Sequence, residues 1–131
     1  QSAKSSANVP AGAGSWPSTP NGGVVTIAAG GSGFKVEGGT SYSSQTVCNF
    51  EAKIGYRVAG SGAWSDLGAV EPGEASTPAG NGDPASPGGN YLQRQATGLP
   101  QGQPYDVGLF WRRTLGTNIA TITTQFTATQ I

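Results

Sequence analysis

The sequence predicts an all-β domain built as an antiparallel sandwich, and three observations support that class. Glycine supplies 22 of the 131 residues and proline nine, which favours turns and short strands over long helices. Residues 46–58 alternate apolar and polar side chains, the period of a strand with one buried face. No segment has the i, i+3, i+4 apolar spacing of an amphipathic helix. About seven short strands separated by turn residues are typical of a sandwich or barrel.

The first 23 residues differ in composition from the rest. Residues 1–23 are rich in Ser, Ala, Gly and Pro, and their large apolar anchors are Val9 and Trp16. Such a segment does not bury enough surface by itself to offset its ordering entropy. We therefore expect an extended N-terminal arm, held either by its own domain or by a neighbouring subunit. Residues 24–131 then form the sandwich domain.

The first half of that domain contains short strands and one long one. Residues 24–27 and 34–36 are β-prone runs that end at small residues and glycines. In the clear strand at 46–58, the buried face is expected to carry Cys48, Phe50, Ala52, Ile54, Tyr56 and Val58. Cys48 is the single cysteine of the chain, and its place in mid-strand predicts a small buried side chain rather than a reactive thiol.

The second half alternates turns and strands. Residues 60–62 predict a tight turn, and residues 63–67 a returning strand. Residues 71–90 have no apolar periodicity, so we expect a long loop, a feature that in compact domains tends to be functional or disordered. Further strands are predicted at 91–96, 105–113 and 118–131.

Two stretches resemble fibronectin type III domains. TGLPQGQPYDV, residues 97–107, resembles their E–F corner, where Leu99 would plug the core and Tyr105 would send its hydroxyl to upstream backbone. Residues 54–67 resemble strand C, the C–C′ turn and strand C′. The resemblance implies an immunoglobulin-like (fibronectin type III-like) antiparallel β-sandwich, with residues 118–131 as strand G.

The strand after this corner is expected to alternate. Phe110 and Arg112 would face outward. The buried, corner-specifying positions would be Leu99, Tyr105, Val107, Leu109 and Trp111. The tryptophan that the family usually carries in strand B has no counterpart here, so Phe34 or Phe50 would fill its space.

No catalytic, cofactor or metal site is predicted. The chain has no histidine and one cysteine, so the usual nucleophile–base pairs and zinc clusters lack their residues. A calcium site at Glu71, Glu74 and Asp83 would lack the spacing of a calcium loop. Seven basic and seven acidic side chains cancel, and no apolar run reaches the ~18 residues of a membrane span. We therefore expect neither nucleic acid nor a membrane as partner.

Candidate contact residues lie in the arm and near the end of the predicted strand at 105–113. An outward Phe110 either joins Trp16 or Trp64 in an apolar contact patch or packs beneath the arm or the long loop. Arg112 and Arg113 have two interpretations as well. They either stack on a sugar or a nucleic-acid base, or form a solvated strand end paired with an aspartate such as Asp66 or Asp106.

These features predict a non-enzymatic structural protein of an assembly, such as a bacteriophage capsid decoration (cement) or tail protein at the virion surface. Its partners would be capsid or tail subunits, or further copies of itself, bound through the arm and loops. The residues proposed for that contact are Val9, Trp16, Phe110, Arg112 and Arg113. The alternative is a secreted or surface-displayed sandwich for adhesion or carbohydrate binding, which predicts a cluster of exposed aromatic side chains.

Overall fold

The structure, a computed structural model, describes residues 1–9, 14–44, 48–75, 88–115 and 120–131. These residues contain eight β-strands and no helix, so none of them belongs to a helix that could span a membrane. The strands are β1 (Ser2–Val9), β2 (Val24–Ala28), β3 (Phe34–Ser44), β4 (Cys48–Val58), β5 (Ser65–Ala75), β6 (Gly88–Ala96), β7 (Pro104–Leu115) and β8 (Ala120–Gln130). The all-β prediction is confirmed.

The strands form two four-stranded sheets. Sheet A has the order β1-β8-β3-β6 and sheet B the order β2-β7-β4-β5, and every neighbouring pair is antiparallel. Both sheets contribute to a single core, whose large buried members include Phe34, Val36, Tyr42, Ile122 and Phe126 from sheet A and Phe50, Ile54, Val107 and Leu109 from sheet B. The predicted antiparallel sandwich is confirmed at this level.

The connectivity of the strands follows one rule. β1 pairs with β8, β2 with β7, β3 with β6 and β4 with β5, so the two strand numbers add to nine. The chain is one long antiparallel hairpin, folded back between β4 and β5 and rolled so that successive pairs fall in opposite sheets. Two further pairings, β3 with β8 and β4 with β7, complete the sheets.

This order corrects the place expected for strand G. β4, β5 and β7 pair as strands C, C′ and F would, but a strand G belongs in the sheet of C and F. β8 instead lies in sheet A beside β3, and β2 takes the place next to β7. The alternating pattern of residues 118–131 specifies one buried face, which either sheet satisfies equally well, so the pattern does not select the sheet.

The structure shortens the loop predicted over residues 71–90. Residues 71–75 belong to β5 and residues 88–90 to β6, while residues 76–87 lie outside the described residues. Pro72 made residues 71–75 look like loop in the sequence, although they belong to the end of β5. It pairs with Glu51 on an edge strand of sheet B, where a missing N–H is tolerated.

The N-terminal residues are held by their own domain. β1 is the outer strand of sheet A, and residues 14–23 lead along β7 into β2. The Gly14 amide donates to the Arg113 carbonyl at 2.8 Å, and the Gly22 amide donates to the Leu109 carbonyl at the same distance.

The predicted corner residues surround one end of the core. Tyr105 is 5% exposed, and its ring lies 5.8 Å from that of Phe34 and 6.2 Å from that of Tyr56. Leu99 is partly buried against the core and Trp111 is buried. No hydrogen bond of the Tyr105 hydroxyl occurs among the described residues, so the backbone bond implied by the resemblance is not part of this corner.

Candidate functional site

Residues 14–22, here called the strap, cross the outer face of sheet B. The Asn21 side chain acts like a strand residue, because its Nδ2 donates to the Trp111 carbonyl and its Oδ1 accepts from the Trp111 amide, both at 2.9 Å. Pro20 lies against Gly108, where any side chain would collide with the proline ring. The absence of a side chain at Gly108 therefore leaves the space that Pro20 of the strap occupies.

A row of cations and aromatic rings lies beneath and beside the strap. Lys53 Nζ is 4.5 Å from the centre of the Trp16 ring, and the Arg112 guanidinium is 4.7 Å from the same ring. Phe110 meets Trp64 edge to face at 5.6 Å. We call this set the outer cluster; its members are Trp16, Lys53, Arg57, Trp64, Phe110 and Arg112. Each cation–π contact contributes about 0.5–2 kcal/mol, depending on how dry it is.

The cations of the outer cluster are also paired with carboxylates. The pairs are Lys53 with Asp66 at 3.0 Å, Arg57 with Asp106 at 3.0 Å and Arg112 with Glu51 at 2.8 Å. Glu51, rather than Asp66 or Asp106, is thus the partner of Arg112. Since each positive charge has a nearby negative one, these three pairs present no net charge to an acidic partner.

Phe110 faces outward from the core, as predicted, but it is 3% exposed. The ring lies over Gly55 of the neighbouring strand, where an added Cβ would come within 2.7 Å of it. The structure combines parts of the two interpretations: Phe110 joins Trp64, as one of them proposed, and it is buried beside a cleft that strap residues 17–19 also line. At 3% exposure Phe110 is not available to a partner in this conformation.

The remaining predicted contact residues do not form one surface. Arg113 is 1% exposed and faces the interior opposite Phe50. Trp16 is half-buried in the outer cluster. Val9 pairs with Ala120 at the end of β1, and its side chain lies outside the described residues, as does that of Cys48.

Asp106 ties three segments of sheet B together. Its carboxylate accepts hydrogen bonds from the Thr26 hydroxyl at 2.8 Å, the Gly60 amide at 3.0 Å and Arg57 Nε at 3.0 Å. Burial by itself would raise the pKa of Asp106, but these hydrogen bonds and the charge of Arg57 outweigh it and lower the pKa below its usual value. The residue fastens β2 and the β4–β5 turn to β7.

Two open spaces lie on opposite outer faces. One is a cleft of about 440 Å³ between strap residues 17–19 and sheet B, beside Lys53 and Trp64. The other is a groove of about 480 Å³ on the outer face of sheet A, crossing β3, β6 and β8. We call the second space the sheet A groove. Tyr91 stands at its side and is 60% exposed.

Sequence reasoning missed Tyr91 as a functional candidate. The signal was present in the strand predicted at 91–96, where Leu92 and Ala96 are buried and the positions between them alternate. That alternation places Tyr91 on the outer face.

The acidic side chains do not gather into a metal site within the described residues. The calcium alternative is not tested, because Asp83 and the side chain of Glu74 lie outside those residues. Comparisons of the chain with protein-family models, with curated proteins and with solved structures found no match.

Proposed function

We propose that the protein is a non-enzymatic structural subunit that joins an assembly by exchanging its first strand with a neighbour. The observation that carries the proposal is the way β1 is held. β1 pairs with β8 along its whole length, yet none of residues 1–7 is buried. Ala3 and Ser5 are half-buried, and the other side chains of that stretch are exposed.

Main-chain hydrogen bonds therefore supply most of the attachment of β1. Gln1 and Ala128 exchange two of them, at 2.8 and 2.9 Å, and the Ser5 hydroxyl lies 2.7 Å from that of Thr124. The same ladder forms with the β8 of a second subunit, because main-chain pairing does not depend on which chain supplies the strand. Leaving the home domain costs little buried apolar surface.

The strand order supports an assembly role at the level of the fold. We infer a jelly roll, in which eight strands wind into two sheets. The fibronectin type III and immunoglobulin types would place the last strand beside β7 in sheet B, but here β8 lies in sheet A and β2 takes the place beside β7. Viral capsid and lectin domains are among the proteins that use this fold. A fold does not determine a function.

We propose that the protein acts at a virion surface, as a capsid decoration or tail component, with capsid or tail subunits or further copies of itself as partners. In the alternative, a secreted or surface-displayed protein, β1 would be available for exchange in the same way. Within the subunit, Trp16 and Arg112 contact each other at the strap and Phe110 is buried against Trp64, so β1 replaces these residues as the proposed contact.

A matched pair of proline variants tests the exchange. Because hydrogen-bonded pairs recur at every second residue from the Gln1–Ala128 pair, the Ala7 amide faces β8 and the Ser6 amide faces the open edge. We expect the full chain to associate in a concentration-dependent way in analytical ultracentrifugation. Ala7→Pro should weaken that association, and Ser6→Pro should leave it nearly unchanged.

Deletion of residues 1–9 provides the second arm of this experiment. The core strands β2–β8 remain, so the shortened chain should stay folded by circular dichroism and lose the association. A full chain that is monomeric at all concentrations, alone and with added virion proteins, would overturn the proposal. Equal effects of the two proline variants would contradict the exchange geometry.

A further inference from the structure

We propose that the sheet A groove binds a neutral saccharide chain, with the Tyr91 ring as its stacking platform. The groove is separate from β1, since the residues that line it come from β3, β6 and β8. The inference therefore does not depend on strand exchange.

The floor of the groove is set by residues without side chains. Gly39 lies between Tyr91 of β6 and Gln125 of β8 in the sheet register. A Cβ at Gly39 would collide with the Asn90 carbonyl, so a larger residue cannot fill this position without moving a strand. The exposed ring of Tyr91 thus borders an open floor at Gly39, and its hydroxyl reaches the carboxylate of Glu37.

The sides of the groove carry groups that match sugar hydroxyls. The hydroxyls of Ser41, Thr123 and Thr127 and the amide of Gln125 line it, and these side chains make no hydrogen bond within the described part of the chain. A sugar ring offers an apolar face of C–H groups and a rim of hydroxyls. An aromatic ring beside several unoccupied donors and acceptors suits both.

The charges around the groove favour a neutral ligand over an anionic one. Glu37, which lines the groove, pairs with Lys35 at 3.3 Å and accepts from Gln93 Nε2 at 3.3 Å. Lys4 is the register neighbour of Gln125, about 5 Å away on β1 at the usual strand spacing, but it is not among the residues that line the groove. No unpaired cation therefore lines the groove within the described residues.

The dimensions favour a short stretch of saccharide over a protein surface. A volume of about 480 Å³ lies in the usual range of small-ligand sites, roughly 300–1,000 Å³. The other large apolar side chains with high exposure, Val24, Val58 and Val70, belong to sheet B and add nothing to this face. A single ring and exposed hydrogen bonds predict an affinity on the order of 1 mM.

Nuclear magnetic resonance titration of the full chain tests the site. The probes are neutral oligosaccharides of four to six units: cello-, xylo-, manno- and chito-oligosaccharides. We expect at least one of them to shift the amides of Gly39, Tyr91 and Gln125. Tyr91→Ala should weaken that binding roughly tenfold or more, and Tyr91→Phe should retain most of it, because the ring supplies the stacking surface.

Controls separate the alternatives. Val58→Ala changes an exposed side chain of sheet B and should leave saccharide binding unchanged. Absence of binding by all four probes, or binding that survives Tyr91→Ala, overturns the proposal. Preferential binding of an acidic oligosaccharide such as oligogalacturonate overturns the neutral assignment. Concentration-dependent shifts of the same amides without any ligand would show that a second copy occupies the face, which also overturns the proposal.

Since the deletion of residues 1–9 leaves the groove residues in place, the shortened chain should bind the same oligosaccharide. Loss of association together with retained binding would separate the two proposals cleanly.

Discussion

At the scale of single residues, the buried carboxylate of Asp106 joins three segments of the chain by hydrogen bonds. It accepts from Thr26, Gly60 and Arg57, which come from different segments of sheet B. It lies on the same face of β7 as the outward Phe110, yet it is buried. The carboxylate supplies the acceptor for the Gly60 amide in the β4–β5 turn.

Replacing Asp106 is therefore expected to destabilise the protein strongly. Asp106→Ala removes three hydrogen bonds, one of them from an ion pair, and should cost about 2–4 kcal/mol in urea unfolding. Asp66→Ala is the matched control, because Asp66 also pairs with a cation but its side chain is 60% exposed. That control should cost less than about 1 kcal/mol. Equal losses would contradict the role given to burial.

The pH dependence of unfolding provides a further check on Asp106. Because its folded pKa is lowered, its contribution is present above the unfolded pKa of about 3.9 and is lost as pH falls through the lower, folded value. The difference in stability between wild type and Asp106→Asn should therefore shrink below about pH 4. A difference that stays constant into strong acid would contradict the assignment.

At the scale of elements, the strap explains why the outer face of sheet B is aromatic. Trp16 lies between Lys53 and Arg112, and Pro20 lies on Gly108. A sequence reader sees these as separate exposed residues, since they come from distant positions. They come together only because the fold places the strap and these strand residues on the same face of sheet B.

Removing the anchor of the strap should loosen it without unfolding the core. Trp16→Ala loses two cation–π contacts and buried ring surface, and should cost about 2 kcal/mol. We expect faster proteolysis within residues 14–20 and faster hydrogen exchange at the Trp111 amide, which is bonded to Asn21. Trp16→Phe should be intermediate. Unchanged strap protection in Trp16→Ala would show that main-chain bonds alone hold it.

At the scale of the whole molecule, most contacts join residues that are distant in sequence, because the first strand pairs with the last, the second with the seventh and the third with the sixth. The β4–β5 hairpin is the local pair, and β1 with β8 is the most distant one. Domains of this kind refold in roughly milliseconds to seconds. We expect folding to begin at the β4–β5 turn and to add β1 late.

Stopped-flow refolding of two variants tests this order. Gly60 has φ +73°, so Gly60→Ala strains the β4–β5 turn and should slow refolding. Ala3→Gly weakens β1 and should speed unfolding while leaving the refolding rate nearly unchanged. A slower refolding rate in Ala3→Gly would place β1 in the folding nucleus and contradict the order.

The sequence by itself determined most of the strands and most of their buried faces; it did not identify β1 as a strand, and Val58, expected on a buried face, is 43% exposed. Alternation found the inward residues Phe50, Ile54, Val107 and Leu109, because side-chain direction in a strand is a local property. It also placed the β4–β5 turn at glycines 60 and 62, both of which have positive φ. Local chemistry was sufficient for these features.

Tertiary structure alone decided which sheet each strand joined and which outward residues were covered. The pattern of β8 is compatible with either sheet, and Phe110 is an outward position that is buried in the structure, where its ring meets Trp64. The same limit hid Tyr91, whose importance depends on the side-chain-free Gly39 on the neighbouring strand. Such features depend on contacts between residues far apart in the chain, and a periodic pattern carries no information about which distant strand will be the neighbour.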